Sequence, residues 1–312
     1  MLLAATADGI RTLCDPSGSG DGTELGGHGV SAVIVDADRG AGATRRWALV
    51  DGRGVWLRSE GGDWSEVARL DDELTCLVPG PLGLLVGTAG AHLRRLPGAT
   101  PTSSVEALGS FEHAPTRDEW YTPWGGPPDT RSLAVAGDGT IFVNVHVGGI
   151  LRSTDGGQTW AATIDLHADV HQVLCPRRYQ PDLVVAACAD GLAVSHDAGA
   201  TWRLREDGLR RTYCRAVAVT GDTVVVSASD GAKGSHAALY RAPVVGWGAF
   251  ERCRRGLPSW FDGNVDTGWV ATGEGGVAVA TADGAVFVST DEGATWDQAA
   301  GGLPRPGWLA WA

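Results

Sequence analysis

Apolar positions along this chain fall in short β-rich runs. Each run is followed by a glycine turn, a second run and then a polar signature. "VVAACADGLAVSHD" (184–197), "LLAATADGIRTLCD" (2–15) and "VAVATADGAVFVSTD" (277–291) share this plan, as do "IFVNVHVGGILRSTD" (141–155) and "RWALVDGRGVWLRSE" (46–60). Paired runs around a turn residue are hairpin signals. Upstream of the hairpins lies another short apolar run: "TRSLAVA" (130–136), "DVHQVLC" (169–175), "YCRAVAV" (213–219) and "TGWVATG" (267–273). Each unit thus predicts a sheet of strands a, b, c and d, with the polar signature on the turn between c and d.

The signature fixes the period. "STDGGQTW" (153–160) returns as "SHDAGATW" (195–202) and "STDEGATW" (289–296), with a degenerate "SEGGDW" at 59–64. Ser153 to Ser195 is 42 residues; Ser59 to Ser153 and Ser195 to Ser289 are each 94, or twice 47. A unit of this size is that of a four-stranded propeller blade. The chain opens directly in a strand b, and its last residues, "GWLAWA", read as a strand a. Joining the two completes one blade and removes the exposed edges. First strands near residues 30, 74, 132, 172, 215, 269 and 309 give seven blades. The expectation is an all-β, seven-bladed β-propeller, one domain over 1–312, closed by the C-terminal strand a on the N-terminal strand b.

Inside the signature, the Asp carboxylate can accept turn N–H groups, and the Gly permits a positive φ. The Trp (Trp160, Trp202, Trp296) can bury a large ring between blades. With three intact copies, the sequence resembles the BNR/Asp-box family, which includes sialidases, xyloglucanases, sortilin-type receptors and photosystem assembly factors. The resemblance implies a β-propeller, with the boxes on the face away from an active site. Sialidase chemistry would need an arginine triad, a Tyr nucleophile with a Glu partner and an Asp acid. Arg131, Arg215 and Tyr213 match in type, but the family's Arg-Ile-Pro segment is absent, so the resemblance does not carry that activity to this chain.

Charge and composition narrow the partners. The 312 residues carry a formal net charge of −12, which argues against a general nucleic-acid binder. The N-terminus lacks a basic, then apolar, leader pattern, and no run reaches membrane-spanning length. The expectation is a cytoplasmic protein without membrane or nucleic-acid partners. Six scattered cysteines (14, 76, 175, 188, 214, 253) without a CxxC pair read as reduced, buried small hydrophobes. Lys233 is the only lysine, and the one candidate for Schiff-base chemistry.

The predicted topology gathers the openings of strands a and the ends of strands b at one mouth of a central channel. Strand a openings supply Arg131, His171 and Arg215; strand b ends supply His146, Cys188, Thr281, Thr6 and Asp51. Arginine forks recognise carboxylates and phosphates, and histidine titrates or binds metal. Alternatively, the same residues pair with nearby acids such as Asp169. Two long connections join that face, and extra loop length often carries function. The first (111–130) contributes Glu119, Trp120, Tyr121 and Trp124; the second (254–267) contributes Trp260, Asp262 and Asp266. Their rings are either ligand walls or caps on the core.

The working expectation is a small polar or anionic ligand anchored by Arg131 and Arg215 and walled by Trp120, Tyr121 and Trp260. His171 and His146, with Tyr213, are the candidates for catalysis. A divalent transition metal is a possible cofactor, with His28, His146 and His171 as ligands. One alternative is a non-enzymatic scaffold that docks a protein on this face. Another is a glycoside hydrolase using Glu119 and Asp262 across a cleft. "DPSGSGDG" imitates half of a calcium loop through Asp15, Ser17 and Ser19, but Gly26 stands where the bidentate Glu belongs. "GEGG" (273–276) leads into a strand and reads as a turn.

Overall fold

The computed structural model describes every residue except 14–21, 38–43, 99–103, 123 and 180. The imitation calcium loop and Cys14 lie outside the described residues. Seven antiparallel sheets of four strands form a seven-bladed β-propeller. Its first strands are Val30–Ala37, Leu74–Gly80, Thr130–Val135, Val170–Leu174, Tyr213–Thr220, Val270–Gly273 and Pro306–Trp311, matching the seven sequence positions. Among the described residues helix is confined to Gly109–Glu112 and two short 3-10 turns. Among the described residues no helix is long and apolar enough to cross a membrane.

The chain divides into two compact units. One comprises residues 1–52, 56–64 and 206–312; the other comprises 53–55 and 65–205. The first unit contains the closure. Pro306–Trp311 pairs antiparallel with Leu2–Thr6, with Leu2 opposite Trp311 and Ala4 opposite Leu309. The Ala312 N–H donates to the Met1 carbonyl at 2.8 Å.

Burial falls off along each sheet. Strands b such as Leu2–Thr6, Ile141–Val145 and Val184–Cys188 are buried at every residue. Strands d such as Arg203–Arg205 and Asp297–Ala300 are mostly exposed. A strand covered on both faces reads as a continuous apolar run instead of an alternation, which is the pattern of the sequence. Each fully buried Val, Leu or Ile contributes about 1.5–3 kcal/mol. Cys76, Cys175, Cys188, Cys214 and Cys253 are free and buried; burial pushes the Cys76 thiol up to about 12.

The three boxes repeat one hydrogen-bond scheme. In the first, the Ser153 hydroxyl donates to Asp155 Oδ1 and accepts the Gly157 N–H, both at 2.8 Å. The same carboxylate accepts the Thr159 N–H at 2.9 Å and the Thr159 hydroxyl at 2.6 Å. Ser195, Asp197, Gly199 and Thr201 reproduce this, as do Ser289, Asp291, Gly293 and Thr295. Gly199 is required twice over. Its φ is +77°, and a Cβ there would stand 2.4 Å from the Phe142 ring. Trp160 and Trp296 are buried, and Trp202 is half-buried. Trp160 meets Phe111 edge-on at 5.2 Å.

Candidate functional site

The strands a share a feature that sequence spacing concealed. In six of the seven, the register with strand b shifts near one end. The residues skipped are Ser31, Thr75, Arg131, His171, Arg215 with Ala216, and Gly307. A bulge leaves its extra residue outside the ladder and re-aims the side chain. Arg131, His171 and Arg215 are therefore set apart from the ladder by backbone geometry.

In the unit containing residues 65–205, two of these positions converge on one carboxylate. Asp169 Oδ1 lies 3.4 Å from His171 Nε2, 3.5 Å from Arg131 Nη1 and 3.6 Å from His146 Nε2. Arg131 Nη1 also stands 3.2 Å from His146 Nε2. Burial works to raise the Asp169 carboxyl. The His171 hydrogen bond and the charges of His171, Arg131 and His146 outweigh it, and the group is held below its ordinary value. Asp129, which sequence reading did not single out, is set the other way. Burial pushes its carboxyl up, and the Gly90 backbone bond and Arg131 do not cancel this. His171 is fully buried and His146 nearly so, so His171 acts on its surroundings through Asp169. Arg131 is partly exposed.

The loop at 113–129 covers this cluster unevenly. Trp124 is 72% exposed, and its ring meets the His146 ring edge-on at 4.6 Å. Tyr121 is 43% exposed and its ring lies 6.4 Å from that of His167. Trp120 instead turns inward. It is buried, 5.3 Å from Phe111, with the Arg117 guanidinium 4.8 Å above its ring, which makes it a core cap. Glu119 is exposed on a 3-10 turn.

In the other unit, Arg215 lines a pocket of about 430 Å³ with Lys233, Asn264, Asp266, Trp269, Asp283 and Arg305. Pockets of this size suit small ligands. Arg215 Nη1 is 2.5 Å from Asp266 Oδ1. That oxygen is buried and accepts no directed hydrogen bond, so the contact is an ion pair of poor angle. The Thr281 hydroxyl donates to Asp283 Oδ1 at 2.5 Å. Asn264 is fixed by donating to the Gly231 and Ala232 carbonyls at 3.2 and 3.0 Å. The sole lysine thus sits on a pocket rim, exposed in its turn. Sequence reading found Arg215 and missed Lys233 and Arg305 as neighbours, because three separate turns bring them together.

The remaining candidates are dispersed. Tyr213 is half-buried at the start of its strand, and Asp262 is exposed. Trp260 is half-buried between arginines, with Arg252 Cζ 3.5 Å and Arg210 Cζ 4.9 Å from its ring centroid. His28 Nδ1 contacts Asp51 Oδ2 at 2.7 Å and belongs to the first unit, whereas His146 and His171 belong to the second. Among the described residues no group of three or more His, Cys, Asp or Glu side chains is arranged to hold a metal ion. At His146, Nε2, a nitrogen that a metal would use, stands 3.2 Å from Arg131 Nη1.

Comparison with known proteins agrees with the fold. A model of the BNR/Asp-box repeat matches residues 151–162. A comparison with curated proteins finds no match. Among solved structures, the chain is similar to the GH74 enzyme of Niastella koreensis, with a TM-score of 0.61 at 14% identity. That alignment covers 95% of this chain and 46% of the enzyme, so this chain spans just under half of it. It is equally similar to a catalytically inactive virginiamycin B lyase from Staphylococcus aureus with quinupristin, with a TM-score of 0.61 at 11% identity, covering 88% and 84% of the two chains. YCF48 bound to D1 peptide aligns with a TM-score of 0.53 at 15% identity, over 86% and 81%. At these identities the likeness establishes fold alone. With the repeat matched at 151–162 and its hydrogen-bond scheme present three times, this chain is a seven-bladed β-propeller that carries the BNR/Asp-box motif.

Proposed function

We propose that the protein is a ligand-binding propeller whose pocket beside Arg215 takes a small anion. One observation carries this reading. Three cations, Arg215, Lys233 and Arg305, line the pocket against two carboxylates, Asp266 and Asp283. Asp266 is engaged with Arg215 and Asp283 with the Thr281 hydroxyl, leaving Lys233 and Arg305 for a ligand. In a chain of net charge −12, such a local excess attracts anions that the rest of the surface repels. Arg305 supplies a planar fork and Lys233 a mobile point charge, a combination suited to a carboxylate or phosphate with a polar body reaching Asn264.

Calorimetric titration with a panel of small carboxylates and phosphates tests this. At least one is expected to bind saturably, and Lys233→Ala and Arg305→Ala are each expected to weaken it about fivefold or more. Absence of binding across the panel, or binding indifferent to both substitutions, refutes the reading. A second reading, docking of a peptide partner in the other unit, is favoured by the exposed rings of Trp124 and Tyr121. A peptide that binds and is released by Trp124→Ala, with no small anion bound, would move the assignment there.

A further inference from the structure

In the unit containing the closure, Trp260 holds a group of arginines that no carboxylate balances. Arg252 lies on the outermost strand Glu251–Arg252, and its Cζ stands 3.5 Å from the Trp260 centroid. Arg210 precedes Tyr213–Thr220 and stands 4.9 Å from the same centroid. His236 meets the ring edge-on at 5.2 Å and 81°. Arg254, exposed and two residues further along the chain, adds its charge to that of Arg252. Burial lowers the proton affinity of Arg252, and the charges of Arg254 and Arg210 lower it further.

The nearby acids are committed elsewhere. Asp230 pairs with Arg211 at 3.2 Å and with His236 at 2.6 Å. Glu251 faces Arg241 at 3.8 Å. Among the described residues none of Arg210, Arg252 and Arg254 forms an ion pair, and Arg252 Nε is buried without a partner. Like charges held together in this way cost free energy. Cation–π contact with Trp260 holds Arg210 and Arg252 in place. A guanidinium lying on a ring keeps its in-plane N–H edge for a ligand.

We propose that Arg210 and Arg252, held on the Trp260 ring, together with the chain-neighbouring Arg254, form a second anion site that takes a compact tetrahedral oxyanion of the phosphate-ester or sulfate-ester class. A set of guanidiniums matches the several oxygens of a tetrahedral oxyanion better than it matches the two of a carboxylate. An extended polyanion such as nucleic acid is disfavoured by the net charge of −12 beyond the patch. The site is built from residues outside the Arg215 pocket and stands independently of it.

The test is titration of the whole protein with inorganic phosphate, phenyl phosphate and phenyl sulfate against chloride at matched ionic strength, followed by the arginine side-chain N–H resonances and by calorimetry. Acetate and an acidic peptide serve as comparison ligands. Phosphate or sulfate is expected to bind saturably and to shift guanidinium resonances. Preference between the two phenyl esters identifies the source. Arg210→Ala and the exposed Arg254→Gln are each expected to weaken binding about fivefold, the loss of one charge-assisted contact, with the circular dichroism spectrum unchanged. Lys233→Ala and Arg305→Ala are expected to leave it intact. The proposal is overturned if no ester or phosphate acts beyond chloride, if acetate or the acidic peptide binds more tightly than phosphate, or if the pocket variants abolish binding while Arg210→Ala and Arg254→Gln preserve it.

Discussion

Replacing Ser153, Ser195 or Ser289 with alanine removes the same pair of hydrogen bonds at three places. Each serine is at most 2% exposed. Each hydroxyl donates to its box carboxylate at 2.8 Å and accepts a glycine N–H at 2.8 Å. The two losses are unequal. The carboxylates sit at the surface, where water substitutes for the missing donor. The Gly157, Gly199 and Gly293 N–H groups point inward and find nothing, and a buried donor left unpaired costs about 1–3 kcal/mol. The expected destabilisation is thus about 2 kcal/mol per box, nearly all from the glycine N–H. The assay is urea unfolding at neutral pH, with Thr154→Ala as a matched control, because Thr154 is an exposed residue of the same turn and its truncation is expected to stay within about 0.5 kcal/mol. If all three serine variants lost less than the threonine control, the buried N–H would not be what makes the box structural, and the reasoning would fail.

Further outcomes follow from the same geometry. The Asp197 and Asp291 carboxyls are held at about 2, below the ordinary 3.8, chiefly by the Thr201 and Thr295 hydroxyls; a depressed folded value stabilises above the ordinary one, so stability should fall between pH 4 and 2, less steeply in Thr201→Val, read by urea midpoints across pH. Phe111→Ala, which empties a fully buried site against Trp120 and Trp160, should cost about 3–5 kcal/mol in denaturant unfolding. Arg131→Ala should raise the Asp169 carboxyl, measured by carbon-detected NMR titration, because one of the charges that offsets burial is gone. Deleting residues 306–312 strips Leu2–Thr6 of its neighbour and should yield aggregating protein without a cooperative transition, seen by size-exclusion chromatography and circular dichroism.

The strands and their grouping were legible because burial on both faces of strand b writes continuous apolar runs, and because the box copies itself. The closure was legible for the same reason, since "GWLAWA" repeats the chemistry of other first strands. The bulges were not. Skipping Arg131 or His171 leaves the local apolar pattern unchanged, so periodicity carries no trace of it. The pairing of Arg131, His146 and His171 with Asp169 joins neighbouring blades, and only the possibility of nearby acids could be read. Trp120 and Trp124 looked alike as loop aromatics, yet one caps the core and the other faces solvent. Arg210, Arg252 and Trp260 come from three segments with no shared spacing, so their stacking is a product of tertiary structure alone.

The register shifts bear on how such a chain can diversify. Ser31, Thr75, Arg131 and His171 are each skipped by the ladder, so drift at these places disturbs polar contacts while strand pairing persists. Cohesion and chemical identity are thereby inherited on separate letters, and hydroxyl, guanidinium and imidazole stand at equivalent stations of one architecture; Gly307 is the exception, because a Cβ there would stand 2.7 Å from the Ser31 carbonyl oxygen.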